Sequence, residues 1–110
     1  MTEFFTRPEG TLAYDDSGGS GKPVIMLPGM GALRSEYRYL APTLTKKGYR
    51  TITMDLRGQG ESSVDWPEYS VKAVGKDLLS FIAFLKISSA NVIATSFSPA
   101  SAVWAALENP

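Results

Sequence analysis

Gly48-Tyr-Arg-Thr-Ile-Thr-Met-Asp-Leu-Arg-Gly-Gln-Gly-Glu-Ser62 is the stretch on which the fold turns. Gly48 follows Lys46 and Lys47, and a glycine after two cations is a helix stop. Arg50-Thr-Ile-Thr-Met54 alternates and is β-branched, so it reads as a strand. It runs directly into a polar loop, Asp55 to Ser62, with glycines at 58 and 60. Two spaced glycines after a strand suggest a dinucleotide loop, but the third glycine is absent at the required spacing and no helix follows at once. Gly-Lys-Ser/Thr is absent too, so this is not a phosphate loop. Read alone, the segment is a structural turn in which Asp55 and Arg57 could pair locally.

Upstream, Val24-Ile-Met-Leu27 is a continuous apolar run ending at Pro28-Gly29, as expected of a strand covered on both faces. Ser35 to Lys47 is helical in part. Tyr37, Leu40 and Leu44 share one face, and Pro42 fits the first turn of a second helical segment. Thr11-Leu-Ala-Tyr14 pairs with residues around Glu3–Thr6 as a hairpin across Pro8-Glu9-Gly10. Asp15 to Gly21 is a polar loop between strands.

Downstream, Ser70 caps a helix running to about Leu85, with Val71, Val74, Leu78, Ile82 and Leu85 at helical spacing. Gly75 weakens that helix by roughly 1 kcal/mol relative to alanine. Asn91-Val-Ile-Ala94 is a short strand. Ser98 as N-cap and Pro99 at the first helical position open a last helix whose expected buried stripe is Ala100, Val103 and Leu107. The order is therefore a hairpin, then strand, helix, strand, helix, strand, helix. That order implies an α/β fold, a three-layer αβα sandwich on a mostly parallel sheet with an N-terminal antiparallel hairpin. Ligands of such sheets bind beyond the carboxyl ends of the strands. Three loops leave those ends: Pro28 to Gly31, Asp55 to Gly60 and Thr95 to Ser98.

Composition narrows the chemistry. The 110 residues fit one domain; Lys+Arg and Asp+Glu number 11 each, so zero net charge gives no electrostatic case for nucleic acid or an anionic membrane. There is no cysteine and no histidine. Thiolate chemistry, Cys or His metal ligation and a Ser–His dyad made from this chain alone are excluded. No cofactor motif is present. The N-terminus does not read as a signal peptide, and no apolar run reaches membrane-spanning length, so the expected location is cytoplasmic.

Ala94-Thr-Ser96-Phe-Ser98 places a serine between a strand and a helix, with small residues two positions to either side. That fits a nucleophile elbow, although Gly-x-Ser-x-Gly itself is absent. Read alone, it fits better a helix whose serines and threonine merely cap it. Pro28-Gly-Met-Gly31 could bring a backbone amide close to a reacting carbonyl, or could be an ordinary strand-to-loop turn.

Taken together, these three segments resemble the α/β-hydrolase family in order and spacing, from about Thr11 to Pro110. Leu27-Pro-Gly-Met-Gly31 is similar to the family's oxyanion loop. Gly48 to Ser62 is similar to its fourth strand and Asp-x-Arg-Gly-x-Gly-x-Ser turn, and Val92 to Pro99 to its fifth strand and elbow. The resemblance implies Ser96 as nucleophile, with the backbone amides of Met30 and Phe97 as oxyanion donors. Pro28-Gly29 stands where the family often has His-Gly, Gln59 where histidine is common, and Ala94 and Ser98 where glycines are usual. The family's acid and histidine follow the nucleophile, so both would lie beyond Pro110. Residues 1–110 are then expected to form the N-terminal half of such a domain, its first five strands, cut after the elbow helix. The fifth strand would be an open edge capable of self-association. Asp65, Asp77 and Glu61 are expected to be solvated surface charges. The implied activity is esterase-like hydrolysis of a small ester-type substrate by the complete protein, the chain alone being inactive. A serine at the elbow disfavours dehalogenase and epoxide hydrolase chemistry. The alternatives are a non-catalytic binding module on the same fold and, less well matched, a nucleotide-binding α/β domain.

Overall fold

A computed structural model describes residues 2–110. Strands β1 (Thr2–Arg7) and β2 (Gly10–Asp16) form the hairpin, followed by β3 (Pro23–Leu27), a 3-10 turn (Arg34–Tyr37), α1 (Leu40–Lys46), β4 (Arg50–Met54), α2 (Val71–Leu85), β5 (Asn91–Ala94) and α3 (Ser98–Glu108). The sheet order is β1-β2-β4-β3-β5. β2 is antiparallel to β1 and β4, whereas β3 is parallel to both β4 and β5. Among the described residues β5 pairs on one side only, so it is the open edge that the family sheet order implies. No described helix is long and apolar enough to cross a membrane.

The strand patterns explain the layers. Successive side chains of a strand point to opposite faces. On β3, Val24 and Met26 meet Tyr37, Ala41 and Leu44 of the α1 layer, while Ile25 and Leu27 enter the larger core. On β4, Ile52 and Met54 join that larger core. Thr51 and Thr53 are buried on the other face, and the Thr51 hydroxyl hydrogen-bonds Thr45 of α1 at 2.8 Å. The alternation read from Arg50–Met54 is thus the alternation between two helical layers. On the α2 side, Phe5, Tyr14, Phe81 and Phe84 form an aromatic cluster with centroid separations of 4.7 to 6.5 Å. This cluster fastens the hairpin to α2.

Ser70 caps α2 as expected, its hydroxyl accepting from the Ala73 amide at 3.1 Å. Four expectations are corrected. The apolar stripe Ala100, Val103, Leu107 faces outward, with Val103 and Leu107 59% and 76% exposed. α3 instead buries Ser98, Ser101 and Ala105. Small residues face inward because α3 lies close on α2. A Cβ on Gly75 would come within 2.4 Å of the Trp104 ring and 3.2 Å of the Ser101 carbonyl oxygen. Gly75 is therefore a packing requirement as well as a helix weakener. Ser98 is the first helical residue rather than the cap, and Pro99 lies just inside the helix. Asp77 is buried, and Asp55 and Arg57 do not pair with each other.

Two glycines hold the β3 and β4 entrances together. A Cβ on Gly21 would stand 1.9 Å from the Gly48 carbonyl oxygen, a clash with backbone that no rotamer relieves. Gly48 has φ of +96° but open space around it. Urea unfolding should separate the two causes. Gly48→Ala is expected to cost about 1–2 kcal/mol through left-handed strain alone. Gly21→Ala should cost about 3 kcal/mol or more, because the β3–β4 entrance must open. Equal, small losses would show that the entrance yields readily.

Candidate functional site

The three loops at the carboxyl ends of β3, β4 and β5 converge. Ser96 stands at the exit of β5 with φ of +58°, one of two non-glycine residues in the left-handed region among those described. A β-carbon there costs roughly 1–2 kcal/mol, so the turn is held by its surroundings. The Thr95 amide reaches the Leu27 carbonyl at 3.3 Å and the Ser98 hydroxyl at 3.1 Å. The fully buried Ser98 hydroxyl can donate to the Leu27 carbonyl at 3.1 Å or the Thr95 carbonyl at 3.0 Å. Ser98 thus ties the start of α3 to the end of β3, in the place where a glycine would leave no polar anchor. The turn presents Ser96 to solvent.

Gly29 packs directly against this serine. A Cβ on Gly29 would meet the Ser96 Cβ at 2.8 Å and its Oγ at 3.5 Å. The loop carrying Gly29 is gripped from two directions. The Glu36 carboxylate accepts from the Gly29 amide through Oε1 at 3.1 Å and from the Thr95 hydroxyl through Oε2 at 2.7 Å. Gln59 accepts from the Gly31 amide at 2.5 Å and donates to the Gly29 and Ala32 carbonyls at 3.3 and 3.0 Å. Met30 lies between the clamped residues and is 61% exposed. Phe97, next after Ser96, is half-buried against the larger core. Tyr37 is buried beneath, its hydroxyl donating to the Leu27 carbonyl at 2.7 Å. Burial raises the Tyr37 pKa, so the phenol stays neutral.

The Asp55–Ser62 loop supports this platform through two ion-pair centres. Asp55, 1% exposed, accepts from the Arg34 amide at 2.7 Å, from the Arg34 guanidinium and from the Glu61 amide at 3.0 Å. Arg34 also reaches Asp15, Glu61 and Thr2. Burial works against the Arg34 charge, but its bonds to Glu61 and Asp15 and the Asp55 charge raise its pKa. Gly60 cannot be other than glycine without displacing Asp55, whose Oδ2 would lie 2.2 Å from a Cβ there. Arg57 turns the other way. Its Nε and Nη2 make a bidentate pair with Asp77 at 2.8 and 2.7 Å, and its guanidinium covers the Trp66 ring at 4.2 Å. Burial opposes this charge too, yet Asp77 raises the Arg57 pKa. Ser62 closes the loop, donating to the Asp55 carbonyl and accepting from the Ala13 amide at 2.8 and 2.9 Å. Gly58 has φ of +82°, its amide donates to the Ser63 carbonyl at 2.9 Å, and a Cβ there would meet the Tyr69 ring at 2.6 Å. Each member of Asp-Leu-Arg-Gly-Gln-Gly-Glu-Ser62 apart from Leu56 therefore has a polar or steric duty, while Leu56 sits in the core.

Among the described residues no group of three or more His, Cys, Asp or Glu side chains could hold a metal ion. The sequence pointed to Ser96, Met30 and Phe97, and the fold gathers all three at one end of the sheet. It did not point to Glu36 or to the reach of Gln59. Gln59 was legible only as a departure in a characteristic turn, and Glu36 lies 59 residues from the threonine it binds.

A family model described as alpha/beta hydrolase fold matches residues 22–110. The chain belongs to the α/β-hydrolase family. It is 29% identical over 103 residues to the AB hydrolase superfamily protein YisY of Bacillus subtilis, covering 94% of this chain and 38% of that protein. It is 35% identical over 74 residues to bifunctional epoxide hydrolase 2 of Sus scrofa, covering 66% of this chain and 13% of that protein. The solved structure of a hydrolase from Pseudomonas aeruginosa superposes with a TM-score of 0.88 at 29% identity, covering 99% of this chain and 42% of that one. This α/β-hydrolase chain thus spans well under half the length of these relatives.

Proposed function

We propose that Ser96 is the nucleophile of an acyl hydrolase, and that the amides of Met30 and Phe97 receive the oxyanion. The observation that carries this reading is the left-handed Ser96, held at a strand-to-helix turn against Gly29. A serine that only capped α3 would have no need of that conformation, and its hydroxyl would be turned to the helix amides. In the proposed reaction the Ser96 Oγ bonds to an ester carbonyl carbon while its proton passes to a base. The carbonyl oxygen becomes an alkoxide between the two amides. Collapse expels the alcohol, which takes the proton back, and water then cleaves the acyl-serine by the same route.

The serine bears on the choice among hydrolase reactions. A carboxylate opening an epoxide forms an ester, which water can cleave. A serine opening an epoxide would form an ether, which water does not cleave under these conditions. Ester-type substrates are therefore favoured over epoxides, despite the resemblance to an epoxide hydrolase. The base and its orienting acid are histidine and carboxylate beyond residue 110 in the family's chain order. The 110 residues alone should not turn over.

A fluorophosphonate probe tests this on two proteins: the chain alone, and a hybrid in which it replaces the corresponding N-terminal part of the Pseudomonas aeruginosa hydrolase. The expected outcome is labelling at Ser96 in the hybrid, abolished by Ser96→Ala, and none above background in the chain alone. A folded hybrid that binds ester analogues with equal affinity with and without Ser96→Ala, and never labels, would instead favour the second reading, a non-catalytic binding module. Ala94 and Ser98, standing where the family usually has the elbow glycines, are the observation behind that second reading.

A further inference from the structure

We propose that Glu36 is a positioning residue that locks the Gly29–Met30 loop to the Ser96 elbow and so fixes the width of the oxyanion site. This rests on the reading of Ser96, Met30 and Phe97 given above. The two carboxylate oxygens are used separately, one for each loop: Oε1 takes the Gly29 amide, Oε2 the Thr95 hydroxyl. Gly29 and Thr95 immediately precede Met30 and Ser96. The contact between Gly29 and Ser96 is steric and limits how closely the loops approach. Glu36 supplies the attraction that keeps them from separating. Gln59 holds the Gly29–Ala32 loop to the Asp55 turn but makes no bond to the elbow, so it cannot replace this strut.

Glu36 is exposed, yet its backbone is not free. Its amide donates to the Leu33 carbonyl at 2.9 Å within the 3-10 turn. Arg34 on one side is anchored to Asp55, and Tyr37 on the other to the Leu27 carbonyl. The carboxylate is thus presented from a fixed base, as a positioning group requires. Its function is hydrogen bonding and not charge. A glutamine could accept from Gly29 through Oε1 and donate to the Thr95 hydroxyl through Nε2. It would keep both bonds while removing a negative charge from the neighbourhood of a developing oxyanion.

The test follows amide hydrogen exchange by NMR in the 15N-labelled 110-residue chain. Glu36→Ala should speed exchange of the Gly29 amide about tenfold or more, and Glu36→Gln should stay within about twofold of the parent. Thr95→Val does not touch the Gly29 amide, so a purely local bond would leave it unchanged; the strut predicts about threefold faster exchange. In the hybrid enzyme, Glu36→Ala should lower kcat for a p-nitrophenyl ester by about 10–100-fold with KM within twofold, and Glu36→Gln should restore it. Unchanged Gly29 exchange in Glu36→Ala or in Thr95→Val overturns the proposal, as does a Glu36→Gln protein that behaves like the alanine variant. An inactive hybrid would sink the assignment of Ser96 while leaving the exchange measurements to decide the strut.

Discussion

Asp77→Ala is expected to destabilise the chain by about 3–5 kcal/mol, the range for removing one partner of a buried ion pair. Domains of this kind have only about 5–15 kcal/mol in total. The Arg57 side chain is 2% exposed and that of Asp77 is 3% exposed. With the carboxylate gone, the Arg57 guanidinium keeps the Glu68 carbonyl and the Trp66 face, but its nearest remaining carboxylate is Glu9 at 3.9 Å. Arg7 loses its bond to Asp77 as well. Arg7 keeps the Ser80 hydroxyl, but both cations have lost the carboxylate they shared, and one of them is buried. The variant's urea midpoint should fall by about a fifth or more, with little change in slope. Glu61→Ala removes an exposed partner of Arg34 and should stay within about 1 kcal/mol of the parent. If Asp77→Ala proved as mild as Glu61→Ala, the pair would be contributing like a surface pair and the account of the Asp55–Ser62 loop would need revision.

Gly29→Ala should reduce fluorophosphonate labelling of Ser96 in the hybrid enzyme by about a hundredfold, the effect of a displacement near 1 Å at a reacting group. Gly29 is not in the left-handed region, so alanine is acceptable to its backbone. The fault is the added methyl, 2.8 Å from the Ser96 Cβ. Either the serine or the loop must move, and Glu36 and Gln59 both resist movement of the loop. Gly31→Ala is the matched control. It strains a residue with φ of +81° but meets nothing within 4 Å. It should lower stability by about 1–2 kcal/mol and leave the labelling rate within a few fold. Labelling at the parent rate in Gly29→Ala would show that the two loops do not share the reaction site.

The sheet and its layers could be read from the chain because their signals are local. Ile52 and Met54 against Thr51 and Thr53, the Ser70 cap and the glycine at 48 each announce themselves within a few residues. Other features failed for physical reasons. The α3 stripe is not legible because hydrophobicity marks the wrong face where close approach to α2 demands small residues; Ser98, Ser101 and Ala105 repeat at helical spacing but do not look like a core. The burial of Asp77 does carry a local signal: it lies between Val74 and Phe81 on the apolar face of α2, which is inconsistent with a solvated carboxylate. The site divides in the same way. Ser96, Met30 and Phe97 were placed by order and spacing. Glu36 and the grip of Gln59 depend on which side chains meet across separate loops, which no spacing encodes.

The backbone of Ser96 has an evolutionary consequence. In its left-handed conformation glycine is preferred on stability alone, and asparagine is tolerated better than most residues. A chain drifting under selection for foldedness only would gain stability by giving up the hydroxyl, and the substitution is a single, conservative step in size. On the proposed reading, a serine at that position is what a demand on its one oxygen atom would keep.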